Sequence, residues 1–176
     1  MNPIYEKNTL EFVTVALEFC SSLERLQDYD LFAFVNNQTK ILPLLYLKAT
    51  LLPEVEEQQD ADDCEHFITE EAYEALRTRL ADLLGEHDSY LETFTPDMQY
   101  SDTPVIAFIS ENIADLYQDI GDFAGLFRQG YEETMLLALA RCTENFRRYW
   151  GQSLLNALKA MHAVRYDEEL NLKEEK

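Results

Sequence analysis

The most compact group of residues that could do chemistry in this sequence is an acidic stretch with one cysteine and one histidine. Asp62, Cys64 and His66 offer oxygen, sulfur and nitrogen donors over residues 62–66. Zinc would select the thiolate and the imidazole, whereas a hard cation would select the carboxylates. Cys64 and His66 are too close in sequence to close a tetrahedral site alone, and the stretch lacks the glycine of a calcium-binding loop. We therefore expect no metal and no cofactor.

A second group is basic and lies near the C-terminal end. At about 100° per residue on one helix, Arg141, Arg148, Lys159 and His162 share a face, and Arg147 stands beside Arg148. Two adjacent guanidinium groups could hold a carboxylate in a bidentate arrangement. The stripe predicts either a solvated face paired with acids or a docking strip for an acidic partner or small anion.

Lys48 lies in the most apolar stretch of the chain, residues 41–53. An ammonium group there must reach solvent or meet an acid, and a desolvated lysine with Tyr46 beside it is the alternative, a nucleophile. We predict that this stretch is a central, buried helix. Pro43 fits either its first turn or a kink in one longer helix, and Pro53 ends it.

Small residues recur along a predicted fourth helix, which we expect Asp102 to cap with Pro104 in the first turn. They are Ala107, Ala114, Gly121 and Gly125. Because each glycine costs about 1 kcal/mol relative to alanine in a helix, the pattern indicates a close approach of another segment. That segment is either a neighbouring helix of the same bundle or, at a homodimer seam, a second copy.

Apolar side chains recur every three to four positions through most of the sequence, which is the period of an amphipathic helix. We predict a single-domain, all-α antiparallel bundle of five or six helices over residues 1–166, followed by a frayed acidic tail over residues 167–176. Thr69 should cap the third helix and Gly85 should end it. The last helical region is either continuous or broken at Gly151, and no convincing strand alternation is visible.

Charge and motif content exclude several classes of function. The 14 basic and 34 acidic residues give a net charge of −20, which repels nucleic-acid phosphate and anionic lipid. No stretch is long and apolar enough to span a bilayer, and three cysteines without close spacing do not form a disulfide framework. Phosphate-binding loops, zinc-protease motifs and the nucleophile elbow of hydrolases are missing from the sequence. These observations predict a cytoplasmic protein without nucleic-acid or membrane partners.

Two segments have an uncommon composition. One is residues 42–49 (LPLLYLKA) followed by Leu52 and Pro53, and the other is Tyr149-Trp150-Gly151 followed by residues 156–162 (NALKAMH). Together they resemble a family of bacterial helical proteins known only as a domain of unknown function. The resemblance implies an all-α fold and a bacterial cytoplasmic setting, and it implies no activity. If the motifs of the family mark a site, Tyr46, Lys48, Trp150 and His162 are where it would lie.

Two functional hypotheses follow. The first is a non-enzymatic interaction or scaffold module that binds a protein partner, or a second copy of itself, through a charged or small-residue face. The second is a small-molecule-binding or catalytic bundle with a pocket lined by Tyr46, Lys48, Arg148, Trp150 and His162. A flat exposed patch on a filled core supports the first, and a concave pocket with converging polar groups supports the second. An acidic mimic of nucleic acid is a third idea, which needs carboxylates spaced along one extended face.

Overall fold

The computed structural model describes residues 1–56, 64–93 and 95–170. Six α-helices and one antiparallel β-hairpin form the described part of the chain. The helices are α1 (Lys7–Glu24), α2 (Leu31–Thr50), α3 (Glu70–Leu84), α4 (Ile109–Gln129), α5 (Glu132–Asn145) and α6 (Gly151–Arg165), and the strands are β1 (Ser89–Glu92) and β2 (Val105–Phe108). A π-helical turn, Phe146–Trp150, joins α5 to α6. The predicted helical fold is confirmed.

Local side-chain signals set several helix ends where the sequence places them. The Asp30 carboxylate accepts a hydrogen bond from the Ala33 backbone N–H at 2.8 Å, and the Thr69 hydroxyl accepts one from the Ala72 N–H at 3.1 Å. Each cap satisfies a donor that has no partner within its own helix. Gly130 follows α4 with φ +75°, a left-handed conformation that a residue with a Cβ adopts only at a cost.

The predicted start of the fourth helix, with Asp102 as its cap and Pro104 in its first turn, is wrong. Residues 105–108 form β2 and pair with β1, and α4 begins only at Ile109. The cap comes from a distant residue, because Asp88 accepts hydrogen bonds from the Ser110 backbone N–H and from the Ser110 hydroxyl, both at 2.7 Å. Sequence patterns do not reveal a cap that is 22 residues away.

The position of the most apolar stretch also differs from the prediction. α2 is one continuous helix with Pro43 in its interior, and it packs mainly against α1 and α6 at the periphery of the bundle. The central helix is α4, which contacts α1, α3, α5 and α6. Because α2 has neighbours on only part of its circumference, Leu44, Leu47 and Leu51 remain exposed.

Contacts at the helix ends show the antiparallel arrangement. Arg165, at the end of α6, donates a hydrogen bond to Asn36 near the start of α2, and Phe146 packs edge-on against Tyr46 near the end of α2. The core between these helices is aromatic. Its ring contacts join Phe12 to Phe123, Phe12 to Trp150 and Phe146 to Trp150.

The last helical region remains helical through Gly151 and changes its hydrogen-bonding pattern just before that residue. The Gly151 N–H donates to the Phe146 carbonyl, which is five residues back and closes a π turn. A Cβ at Gly151 would lie 2.6 Å from that same oxygen, so the turn requires glycine. The described residues end at Leu170, and residues 171–176 of the predicted tail lie outside them.

None of the described helices is long and apolar enough to cross a membrane.

Candidate functional site

A buried carboxylate on α4 holds the segment that leads into α3. Asp122 Oδ1 accepts hydrogen bonds from the backbone N–H groups of Phe67 and Ile68, at 2.7 and 2.8 Å. Its Oδ2 lies 2.7 Å from His66 Nδ1. The Asp122 side chain is only 3% exposed, whereas that of His66 is 61% exposed. Burying a carboxylate is costly unless it is hydrogen-bonded, and here the fixed segment supplies the bonds.

Arg141 holds the preceding residues of the same segment. Its guanidinium group is buried and donates to the backbone carbonyls of Cys64 at 3.0 Å and of Glu65 at 3.4 Å. The prediction that Arg141 shares an exposed face with Arg148, Lys159 and His162 is therefore wrong. The π turn between Arg141 and α6 adds a residue to one helical turn, so a constant 100° rotation does not hold across it.

The small-residue line also has a different role from the predicted homodimer seam. Side chains of the same chain lie over both glycines: Phe67 covers Gly125, and Ile68 lies 2.8 Å from an ideal Cβ at Gly121. Ala114 is fully buried, and Ala107 lies in β2 rather than on α4. The approach that these glycines permit is that of the 64–68 segment, so this face of α4 is not open to a second copy.

A cleft lies beside this segment, between α1 and α4. Its volume is about 310 Å³, which falls at the small end of ligand-binding pockets. Phe67 and Ile68 form one wall. The remaining lining residues come from the two helices: Leu17, Cys20, Ser21 and Glu24 from α1, and Tyr117, Gly121, Ala124, Gly125 and Arg128 from α4.

The polar groups of the cleft have distinct electrostatic environments. Burial raises the pKa of the Cys20 thiol to about 12, with Glu24 raising it further and Arg128 opposing the shift. Burial and the nearby Glu24 carboxylate raise the pKa of Tyr117 to about 12. The Tyr117 hydroxyl donates to Glu24 Oε1 at 3.3 Å. At neutral pH Cys20 therefore remains a thiol and Tyr117 a phenol, beside the side chains of Glu24 and Arg128.

The buried side of α4 that faces α5 carries a further acid. Burial raises the pKa of the Asp119 carboxyl group, and Asp122 and Asp115 add to the shift. A hydrogen bond from Asn145 at 2.9 Å and the charge of Arg141 oppose it. Asp119 and Arg141 therefore lie close enough for their charges to interact.

Lys48 has the arrangement of a snorkelling lysine. Its Nζ lies 2.6 Å from Glu11 Oε2 on α1, and its side chain is partly exposed. The same contact lowers the pKa of the Glu11 carboxyl group. Tyr46 packs against Phe146 at a ring-centroid distance of 5.2 Å. The geometry around Lys48 is that of an ion pair between α1 and α2.

The other predicted pocket residues lie in three different environments. Trp150 is buried, and its indole N–H donates to the Cys142 carbonyl at 3.0 Å. His162 is exposed and packs against Tyr166, while Arg148 pairs with Glu144 at 2.5 Å. The structure therefore does not bring Trp150 and His162 together at one surface.

Of the predicted metal ligands, Asp62 lies outside the described residues. Cys64 is buried and its backbone carbonyl accepts a hydrogen bond from Arg141, and His66 Nδ1 lies 2.7 Å from Asp122 Oδ2. Within the described ranges, no group of three or more histidine, cysteine or acidic side chains is arranged to hold an ion.

The side of the bundle formed by α2 and α6 has an unusual charge. Residues 31–53 and 145–166 contain none of the 34 acids, although they contain six of the 14 bases, so the rest of the chain combines eight bases with all 34 acids. The exposed side chains of these two segments, which we call the acid-free face, include leucines on both helices. The bases are Lys40, Lys48, Arg147, Arg148, Lys159 and Arg165, and the exposed leucines are Leu44, Leu47, Leu51 and Leu155.

Sequence reasoning missed Asp122, Glu24, Tyr117 and Arg128. The two glycines of α4 were the available signal, because they correctly indicated a close approach. The approaching segment is a loop, and loops carry no helical periodicity that would identify them as the partner.

Comparison with known proteins agrees with this architecture. Residues 3–167 match the family described as Domain of unknown function (DUF5063), and the chain belongs to that family. A crystal structure of protein BF1032 from Bacteroides fragilis is similar, with a TM-score of 0.82 and 46% sequence identity over 94% of this chain and 96% of that chain. No curated protein matches the sequence. The predicted resemblance to a helical family of unknown function is confirmed, and the structural neighbour is bacterial.

Proposed function

We propose that this member of a family of unknown function is a non-enzymatic protein-interaction module whose acid-free face binds an acidic, leucine-bearing segment of a partner protein. The observation that carries the proposal is the exposure of Leu44, Leu47 and Leu51 on a helix without acids, in a chain of net charge −20.

The spacing of these leucines supports a helical partner. Lys40, Leu44, Leu47 and Leu51 follow one another at intervals of four, three and four residues, which is the spacing of a helix-packing seam. The leucines are 44%, 51% and 43% exposed. Burying such side chains in an interface is worth about 1 kcal/mol each.

The distribution of charge supports an acidic partner. Among the described residues, Lys40, Arg147 and Lys159 form no ion pair within 4 Å. An acidic segment would meet these bases and would be repelled by the rest of the surface, which restricts it to this face. An anionic bilayer is less favourable, because a large planar surface would also approach the acids around the rim of the face.

A peptide selection tests this proposal. A display library of acidic amphipathic helices of about 20 residues, or about 30 Å, would be selected against the full chain. The affinity of each selected peptide would then be measured by fluorescence anisotropy at low and high salt. Lys159→Glu and Leu47→Asp should each weaken binding about tenfold, which is about 1.4 kcal/mol, and added salt should weaken binding to the unmodified chain.

Matched controls lie on other surfaces. Arg79→Glu makes the same charge change on α3, and Ile106→Asp makes the same kind of change at an exposed apolar residue of β2. Both should bind the peptides as the unmodified chain does. A library without binders, equal binding by all five proteins, or tighter binding to anionic vesicles contradicts the proposal. A dimer that Leu47→Asp dissociates would show that the occupant is a second copy and would also overturn it.

We also propose a cytoplasmic location. The support is that Cys20 and Cys142 are buried thiols that form no disulfide, as is usual for proteins of a reducing compartment.

The alternative hypothesis, a small-molecule site, receives its support from the cleft between α1 and α4 rather than from the surroundings of Tyr46, Lys48, Trp150 and His162.

A further inference from the structure

We propose that the cleft between α1 and α4 binds a small zwitterion, with a cationic amine at one end, a carboxylate at the other and a short apolar chain between them. The cleft is lined by α1, α4, Phe67 and Ile68, whereas the acid-free face is formed by α2 and α6. A failure of one proposal is therefore distinguishable from a failure of the other.

The cleft has opposite charges at its two ends. α1 and α4 run antiparallel, since Tyr117 in the first half of α4 reaches Glu24 at the end of α1, and Phe123, further along α4, meets Phe12 near the start of α1. Glu24 and Tyr117 therefore mark one end, while Arg128, in the last turn of α4, marks the other. Tyr117 and Arg128 are separated along α4 by about 16 Å, which sets an approximate upper limit on the distance between the two charges of the ligand.

The two charges do not neutralise each other. In the described part of the chain, no ion pair within 4 Å involves Glu24 or Arg128. A ligand amine would pair with Glu24, and the Tyr117 hydroxyl would remain beside it as a hydrogen-bonding group. A ligand carboxylate would accept two hydrogen bonds from the Arg128 guanidinium group. A molecule with both charges satisfies both ends, whereas a molecule with one charge satisfies only one.

The middle of the cleft is lined by apolar side chains together with Cys20 and Ser21. Leu17 and Ala124 line it from the two helices, and Phe67 and Ile68 form the wall. The side chains of Phe67 and Ile68 occupy the space over Gly125 and Gly121, so the methylene chain of a ligand would pack against that wall. Such a chain gains about 0.8 kcal/mol for each methylene group that it buries.

The wall is held in place before any ligand arrives. Asp122 fixes the backbone of Phe67 and Ile68 through two hydrogen bonds, and Arg141 fixes the two residues before His66. A preformed wall lowers the entropic cost of binding. Asp122 is thus a positioning residue for the cleft, since its carboxylate is buried behind the wall.

Titration with simple compounds tests the inference. The probes are ω-amino acids with chains of about four to about eight carbons, and the monofunctional controls are the alkanoates and alkylamines of the same lengths. Binding to the full chain would be followed through the amide NMR signals of Gly121 and Gly125. We expect one length of ω-amino acid to bind at least about tenfold more tightly than either monofunctional compound of that length.

Charge-removing variants locate the two ends. Arg128→Gln and Glu24→Gln should each weaken the binding of the best ω-amino acid about tenfold. Arg128→Gln should reduce the preference for this compound over the alkylamine only, and Glu24→Gln should reduce the preference over the alkanoate only. Arg25→Gln and Glu18→Gln remove the same charges from exposed positions of α1 and its C-cap that do not line the cleft, and they should leave affinity unchanged. All four substituted side chains are at the surface, so folding is preserved.

Three results would overturn the inference. They are an alkanoate or alkylamine that binds as tightly as the ω-amino acid, equal affinity of the cleft and control variants, and no shift of the Gly121 and Gly125 signals with any chain length.

Discussion

The carboxylate of Asp122 accepts a hydrogen bond from the backbone N–H of Phe67 at 2.7 Å, and the ring of Phe67 lies over the next helical turn at Gly125. The two residues are 55 positions apart in sequence. This contact closes one side of the α1–α4 cleft and shields the glycines of α4. Asp122 is the buried polar anchor of this contact, and the ring of Phe67 fits there because Gly125 has no side chain.

Replacement of Asp122 should release the backbone of Phe67 and Ile68 from α4. Asp122→Ala removes the acceptor of two backbone hydrogen bonds, and we expect a loss of about 3 kcal/mol in the free energy of unfolding. Hydrogen exchange at the Phe67 and Ile68 amides should become much faster than exchange in the core of α4. The control Asp82→Ala removes an exposed carboxylate from α3 and should change stability by less than about 0.5 kcal/mol. Unchanged amide protection in Asp122→Ala would show that the anchor does not hold the segment.

Gly125 and Phe67 should be energetically coupled. A Cβ at Gly125 would overlap the ring of Phe67, so Gly125→Ala should destabilise the chain by about 1–3 kcal/mol. Helix propensity alone predicts the opposite, a gain of about 1 kcal/mol. In the background of Phe67→Ala the same substitution should become stabilising, because the overlapping ring has gone. Urea unfolding of the four proteins gives the coupling energy, and additive effects would contradict the steric argument.

The π turn should depend on Gly151. Its missing Cβ leaves room for the Phe146 carbonyl that the Gly151 N–H meets. We expect Gly151→Ala to lower the unfolding free energy by about 1–3 kcal/mol, although alanine favours regular helix. Gln152→Ala, at the next and exposed position, should be neutral. Thermal unfolding compares the two variants, and a stabilised Gly151→Ala would refute this requirement.

Asp119 should make stability depend on pH with a defined sign. Its folded-state pKa is raised by burial above that of the unfolded chain. Its contribution to stability is therefore present below the unfolded pKa, about 4, and is lost as pH rises through the folded pKa. Asp119→Asn keeps the oxygen that Asn145 bonds and removes this loss. The melting temperature of the variant relative to the unmodified chain should increase between about pH 4 and pH 7.

The exposed Asp82→Asn variant provides the comparison for this pH series. The difference in melting temperature between this variant and the unmodified chain should change less over the same range than that of Asp119→Asn. A constant difference for Asp119→Asn would mean that its carboxyl group titrates alike in the folded and unfolded chain.

The sequence by itself determined the helical architecture. The three-to-four-residue recurrence of apolar side chains, the caps at Asp30 and Thr69, and the stops at Gly85 and Gly130 are local properties. Local physics decides them, because a helix satisfies its own backbone and needs only one apolar stripe and suitable ends.

Tertiary structure decided which stripe is buried and which residues meet. The most apolar helix, α2, became peripheral, because α4 took the central position with neighbours on all sides. Asp88 caps α4 from another element, Asp122 and Arg141 hold a loop through hydrogen bonds, and one π turn changes the helical rotation between Arg141 and the exposed basic residues that follow it. None of these can be read from periodicity, because each depends on groups that are distant in sequence or on a change in the helical period itself.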